Sequence, residues 1–306
     1  MVNIGTTGAS STPGRYLLTY SPADPGYSSG DGTYTGYLRL PTPYGVIINR
    51  IQVNGPGDVE KVKAIQVQFT LTSVSNHVQF APKLTKSLLF DGFSTDSTEM
   101  LLQLTARLSV YNLPEIGSEI PRVNAILRLA GLSLGSYSTP SGVDLTSAMA
   151  DATAAIASVT GAQFDTYFLT LGNNWSQMRD IYSGDFKENY NVRAYVAKNA
   201  YLQLTADQAI YPAYTVSGKL TSDNSYTVRF SRKPPVKGFW SLTVYNSSGF
   251  LVANPWNIYA LGDRSAIKYP DGSLVYPTSG SSDTDGEFSL LLQTLDIPPP
   301  EKYRSK

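Results

Sequence analysis

The sequence predicts an α+β protein with a β-rich N-terminal lobe, a helical middle and a C-terminal antiparallel β-sandwich or jelly roll. Short strand-like runs between Gly, Pro, Ser and Thr clusters fill the chain up to Val53. Apolar residues at three- and four-residue spacing then dominate the middle, and β-branched and aromatic runs return after Tyr211. The most specific stretch lies between Gly238 and Gly272. There Phe239, Leu242, Val244 and Phe250 flank the turn signal Asn246-Ser247-Ser248-Gly249, the pattern of a β-hairpin.

Taken in order, Arg15 to Tyr20 and Gly45 to Arg50 read as short strands between turns. Asp58 is placed to cap a helix in which Val59, Val62, Ile65, Val67 and Phe69 mostly share a face, while Glu60, Lys61 and Lys63 stay in water. A second helix starts after Thr95 or Ser97, carries Met100, Leu101, Leu104, Leu108 and Tyr111 at helical spacing, and is stopped by Pro114. Ser118 to Ala130 is a third, with Pro121 tolerated in its first turn. Asp144 to Phe168 is Ala-rich and helix-prone, interrupted near Gly161, and Asp185 to Ala209 is amphipathic through Tyr190, Ala194, Ala197 and Tyr201. Beyond Tyr211 the expected strands are Ser225–Ser231, Gly238–Tyr245, Gly249–Val252, Tyr259–Lys268 and Glu287–Thr294. Three consecutive prolines, Pro298 to Pro300, take the tail out of the sheet.

Composition excludes much of the usual chemistry. The chain of 306 residues has no cysteine and a single histidine, His77. Thiol nucleophiles, Cys-bound zinc, iron-sulfur clusters and multi-histidine metal sites are therefore excluded within one chain. Lys plus Arg and Asp plus Glu balance at 24 each without a like-charged block, so neither nucleic acid nor an anionic membrane surface is an expected partner. No apolar run approaches the roughly 20 residues of a membrane span, and the first residues lack the charged and apolar regions of a signal peptide. Asn174-Trp175-Ser176 and Asn246-Ser247-Ser248 fit the glycosylation acceptor pattern, one that chance produces often.

A set of motifs then falls into order. Thr7-Gly8, Pro41-Thr42-Pro43-Tyr44-Gly45 with Asn49-Arg50, and Gly55-Pro56-Gly57-Asp58 before Ala64-Ile65-Gln66 stand in the first part. Asn173-Asn174-Trp175, Tyr190-Asn191-Val192-Arg193-Ala194, Ala209-Ile210-Tyr211, Gly238-Phe239-Trp240-Ser241-Leu242-Thr243-Val244-Tyr245, Asn254-Pro255 and Asp271-Gly272 stand in the second. Together they resemble the domain of unknown function 1254/1214 (DUF1254/DUF1214) family of bacteria and fungi over nearly the whole chain. The resemblance implies two β-rich lobes joined by helices, the second a β-sandwich or jelly roll, and brings no general activity. It divides the chain into a DUF1254-like part over 1–75, a helical connecting region over 76–184, a DUF1214-like sandwich over 185–296 and a tail over 297–306. Relative to that family, an Asn-x-Asp-Thr-Leu-Tyr-like motif is missing before Met1, an Asn-Trp-Leu-Pro-Ala-Pro segment is missing beyond Tyr303, and Ile258 stands where an arginine is common. The expectation is a gene-model fragment or degenerate relative whose unpaired strand edges invite aggregation.

The catalytic candidates are Tyr190, Arg193 and Tyr245; the ligand-binding candidates are Trp175, Trp240, Asn254 and Tyr259. Arginine would fix a carboxylate or enolate oxygen and tyrosine would exchange a proton. Trp240 and Tyr245 are an odd number of residues apart, so a regular strand points them to opposite faces. The competing reading makes Trp240 core and lets Tyr190 and Arg193 brace a helix. Asp263-Arg264 should point apart in a strand, and Asp271-Gly272 should form a turn. Asp180, Asp185 and Glu188 match no calcium loop, His77 has no nucleophile elbow to serve, and Gly5 and Gly8 lack the context of a phosphate loop.

The abundance of tyrosine, 21 residues, points to a small apolar or aromatic molecule as ligand. No metal and no cofactor is called for. The activity expected is hydrolase-like or simple acid/base chemistry. The alternatives are a non-catalytic module for small molecules or carbohydrate, and an inactive truncated remnant. Homo-oligomerisation and compartment stay open; secretion would require a signal sequence upstream.

Overall fold

Residues 4, 12–51, 53, 56–74, 79–114, 116–214, 220–236, 238–277 and 285–303 are described by a computed structural model. Near the amino end, alternating Tyr and Leu build β1 (Tyr16–Tyr20), β2 (Gly26–Ser29) and β3 (Gly36–Leu40), in the order β1-β3-β2. β3 is central, parallel to β1 through Tyr16↔Gly36 to Tyr20↔Leu40 and antiparallel to β2. Gly36 is required by close approach, because a Cβ there would lie 2.7 Å from the Tyr27 ring. Gly45 to Arg50, expected as a strand, forms no ladder among the described residues, and Val46, Ile47 and Ile48 are exposed. High β-propensity yields a strand only where another strand lies beside it.

The first helix, α1 (Val59–Gln66), is shorter than its pattern. Asp58 makes no capping hydrogen bond, Val62 is buried, and Ile65, Val67 and Phe69 are exposed. An unanticipated short helix, α2 (Lys86–Phe90), is capped by Thr85, whose hydroxyl accepts from the Leu88 amide at 3.1 Å. Helix α3 (Ser97–Ser109) is capped by Asp96, which lies between the two expected starts and accepts from the amides of Thr98 at 3.0 Å and Glu99 at 2.9 Å. It ends before Pro114, in tight turns that bond the Tyr111 and Asn112 amides back to Leu108 and Ser109. Helix α4 (Ile120–Leu129) carries Pro121 in its first turn, as expected.

Strands β4 (Leu132–Ser133) and β5 (Ser136–Tyr137) form a hairpin whose turn residues, Leu134 and Gly135, both have positive φ. Helix α5 (Leu145–Ser158) is capped by Asp144, and the expected interruption near Gly161 separates it from α6 (Phe164–Tyr167). At Phe168 the chain becomes extended instead of remaining helical. β6 (Phe168–Gly172) and β7 (Trp175–Met178) pair across Asn173 and Asn174, whose φ angles are 48° and 63°. Asparagine tolerates this left-handed backbone better than most residues. Helix α7 (Tyr190–Asn199) follows, and β8 (Ala213–Tyr214) pairs with β7.

The remaining strands are β9 (Tyr226–Phe230), β10 (Ser241–Thr243), β11 (Ala260–Gly262) and β12 (Phe288–Leu292), paired antiparallel as β9 with β12 and β10 with β11. The protein is thus mixed α+β, with a small N-terminal sheet, a helical middle and C-terminal antiparallel strand pairs; among the described residues no barrel closes. The turn at Asn246 forms as read, its side-chain oxygen accepting from the Ser248 and Phe250 amides at 3.0 Å each, but the expected strand Gly249–Val252 is reduced to a single bridge between Tyr245 and Leu251, and β10 pairs with β11 instead.

The chain divides into two units, Met1–Asn49 with Leu71–Tyr214 and Arg50–Thr70 with Thr215–Lys306. In the first, Val159, Tyr167, Met178, Val192 and Val196 form a buried cluster joined by Phe168, Tyr182, Phe186 and Tyr195. In the second, both strand pairs contribute to one core. Phe288 and Leu290 from β12 and Ile267, Tyr269 and Val275 are buried, with Phe230 from β9, Leu242 from β10 and Leu261 from β11 against them. Two ladders facing one apolar core is the physical arrangement of layered β packing.

Candidate functional site

An open concavity lies within the first unit and is made by residues far apart in sequence. Tyr20 ends β1, and its ring meets Phe80 edge to face at 4.9 Å. Pro43 leads the chain into Tyr44, whose hydroxyl donates to the Pro82 carbonyl at 2.6 Å and whose ring meets Tyr111 edge to face at 5.9 Å. Burial, and secondarily Tyr111, push the Tyr44 phenol above the usual tyrosine range, so it stays a neutral donor. These contacts hold the segment after β3 against the segment before α2. Between them is an open hollow of about 430 Å³, lined by Tyr20, Pro43, Tyr44, Phe80, Pro82 and Lys83 among others. Among the described residues, Lys83 is its only charged lining residue.

The residues singled out from sequence fall in both units. In the first, Tyr190 opens α7, and its phenol accepts from Arg122 on α4 at 3.1 Å. Arg122 is also bonded to Glu119 and lies 3.5 Å from Glu188. Arg193 is exposed on the next turn of α7 and makes no ion pair with a described residue. Trp175 lies in β7, edge to face with Tyr214 at 5.7 Å.

In the second unit, Trp240 is half-buried against Phe230 at 5.0 Å, and its indole donates to the Tyr276 hydroxyl at 2.8 Å. Tyr245 is exposed at the hairpin. Trp240 and Tyr245 both lie outside β10, which spans only Ser241–Thr243, so no regular pleat runs between them. Asn254 closes a local loop: its amide donates to the Ile258 carbonyl at 2.8 Å and its oxygen accepts from the Ile258 amide at 3.1 Å. Tyr259 is exposed immediately before β11.

Asp263, Arg264 and Asp271 are each engaged by local contacts. Asp263 and Arg264 form an ion pair at 3.1 Å instead of pointing apart, because β11 ends at Gly262 and the pleat no longer separates them. Asp263 also accepts from the Trp240 amide at 3.1 Å. Asp271 makes the expected turn, accepting from the Ser273 amide at 2.9 Å beside Gly272 at φ +90°. Ser273, through its hydroxyl first and its amide second, keeps the Asp271 carboxyl below the usual range. Among the described residues no three His, Cys, Asp or Glu side chains gather as metal ligands. His77, Gly5 and Gly8 lie outside the described residues. No described helix is long and apolar enough to cross a membrane.

Sequence reasoning passed over Tyr20, Phe80 and Lys83, and it used Pro43 and Tyr44 only as part of a motif. Proline beside tyrosine in Pro43-Tyr44 was the one available local signal, since both present flat apolar faces. Residues 1–73 match the family model described as Protein of unknown function (DUF1254), and residues 208–296 match that described as Protein of unknown function (DUF1214). No curated protein and no solved structure matches the chain.

Proposed function

For this chain, which carries a DUF1254 domain at its amino end and a DUF1214 domain at its carboxyl end, we propose a binding function. A small molecule lies with an apolar or aromatic ring in the hollow between Tyr20, Tyr44 and Phe80 and leaves unchanged. The observation that carries this reading is the hollow itself. Its volume of about 430 Å³ lies in the range of small-molecule sites, about 300–1,000 Å³, and its rings and prolines are pinned by the Tyr44–Pro82 bond and the Tyr20–Phe80 contact. Pinned surfaces lose little entropy when a ligand arrives.

The hydrolase-like or acid/base reading draws less support. Of its two tyrosines, Tyr190 shares a hydrogen bond with Arg122, a guanidinium already engaged by Glu119, and Tyr245 belongs to the second unit while Arg193 belongs to the first. In the hollow, the Tyr44 proton is committed to the Pro82 carbonyl. The test is thermal unfolding against small esters, aromatic acids and oligosaccharides, for the natural chain and for Phe80→Ala. Phe80 is 55% exposed, so its truncation should leave the fold intact. One ligand class should raise the melting temperature of the natural chain and fail to do so in the variant. A shift that survives Phe80→Ala would place binding elsewhere, and the appearance of hydrolysis products from the esters would favour an enzyme.

A further inference from the structure

We infer that the ligand of this hollow is an anion: a flat, apolar acid whose carboxylate is met by Lys83. The inference rests on the binding reading above and specifies its chemistry. Among the described residues lining the hollow, Lys83 supplies the only charge, and none of them is a carboxylate. Lys83 makes no ion pair with a described residue and is exposed. Its backbone is nonetheless anchored, since the Pro82 carbonyl immediately before it is held by the Tyr44 hydroxyl at 2.6 Å. The donors and acceptors are therefore unequal: Tyr44 has spent its proton, and Lys83 offers an ammonium with no described partner.

Aromatic rings can also attract cations through their faces. Here that attraction is opposed by the positive charge of Lys83, with no acidic group among the described lining residues to offset it. Tyr20 and Phe80 also meet edge to face, so they do not present two parallel faces around a central charge. The electrostatic balance favours a ligand with an apolar ring and one negative group over its neutral or cationic counterpart.

The experiment compares naphthoate with naphthamide, matched in shape and different in charge, by calorimetric titration of the full chain. The natural protein should prefer naphthoate by about three- to fivefold, the scale of an exposed ion pair. Added salt should shrink that preference. Lys83→Gln should remove it, and Lys83→Arg should retain it. Equal binding of the two compounds, or a preference that persists in Lys83→Gln, would overturn the assignment of an anion but leave the hollow as a binding site. If neither compound binds and no other flat apolar compound does, both this inference and the binding reading fail.

Discussion

The indole N–H of Trp240 donates to the phenolic oxygen of Tyr276 at 2.8 Å, tying the entry to β10 to the residue that follows the fully buried Val275. Burial raises the Tyr276 pKa above the ordinary tyrosine value, although the indole bond acts in the opposite direction. Tyr276→Phe removes the acceptor and leaves a half-buried indole donor with a weaker partner or none. The expected cost is about 1–2 kcal/mol, read from urea denaturation followed by tryptophan fluorescence. Unchanged stability would mean that water replaces the phenol and that the bond contributes nothing net.

Phe288 is 2% exposed, and its ring stacks on Phe230 at 4.6 Å with an interplanar angle of 4°. Phe288→Ala should destabilise the second unit by about 3–5 kcal/mol, whereas Phe288→Leu should cost less because much of the volume is kept. Chemical denaturation checks both. A loss under about 1 kcal/mol for the alanine variant would show that the two strand pairs do not depend on a shared core.

Helix α3 depends on Asp96 for its first amides, and two of them bond to the same carboxylate oxygen. Asp96→Ala should cost about 1 kcal/mol, and Asp96→Asn or Asp96→Ser should recover most of it, since either can accept from those amides. Equilibrium unfolding followed by helical circular dichroism distinguishes the three.

Alkaline pH should loosen the first unit through Tyr195. Its phenol is pushed above the usual tyrosine pKa by burial against the core that contains Val192 and Val196. Its ionisation is therefore harder in the folded state than in the unfolded state. Stability from this group is fully present below the unfolded value of about 10 and declines as pH rises through the higher folded value. Tyr195→Phe should flatten that decline. Tyrosinate absorbance recorded alongside circular dichroism tests the sign, and a Tyr195 that ionises below the free-tyrosine range would contradict it.

Long elements with chemical punctuation were legible from sequence. Helix α5 starts behind Asp144, α4 accepts Pro121 in its first turn, and β9 and β12 lie within the alternating runs read for them. The short elements were not. A five-residue helix such as α2 has too few residues to show a period, and β6 starts at Phe168, the last residue of the helix-prone run, before the two asparagines reverse the chain. Gly45 to Ile48 has strand composition but no partner strand among the described residues, and pairing is a property of two segments that neither contains alone. The same limitation hid the hollow. Tyr20, Tyr44 and Phe80 are unremarkable where they stand in sequence, and only the return of the chain before α2 brings them together. Trp240 and Tyr190 were conspicuous by residue type, yet each is occupied by a neighbour, Tyr276 and Arg122 respectively.

The N-terminal sheet places its last-made strand in the middle. Among the described residues β1 has no sheet neighbour except β3, and β2 has none except β3, so neither ladder is complete until Leu40 has been made. A growing chain cannot lay this sheet down one strand at a time. It must hold β1 and β2 unpaired during synthesis and then gain both ladders when β3 arrives, so a lesion in β3 would be felt at birth as the loss of the whole sheet.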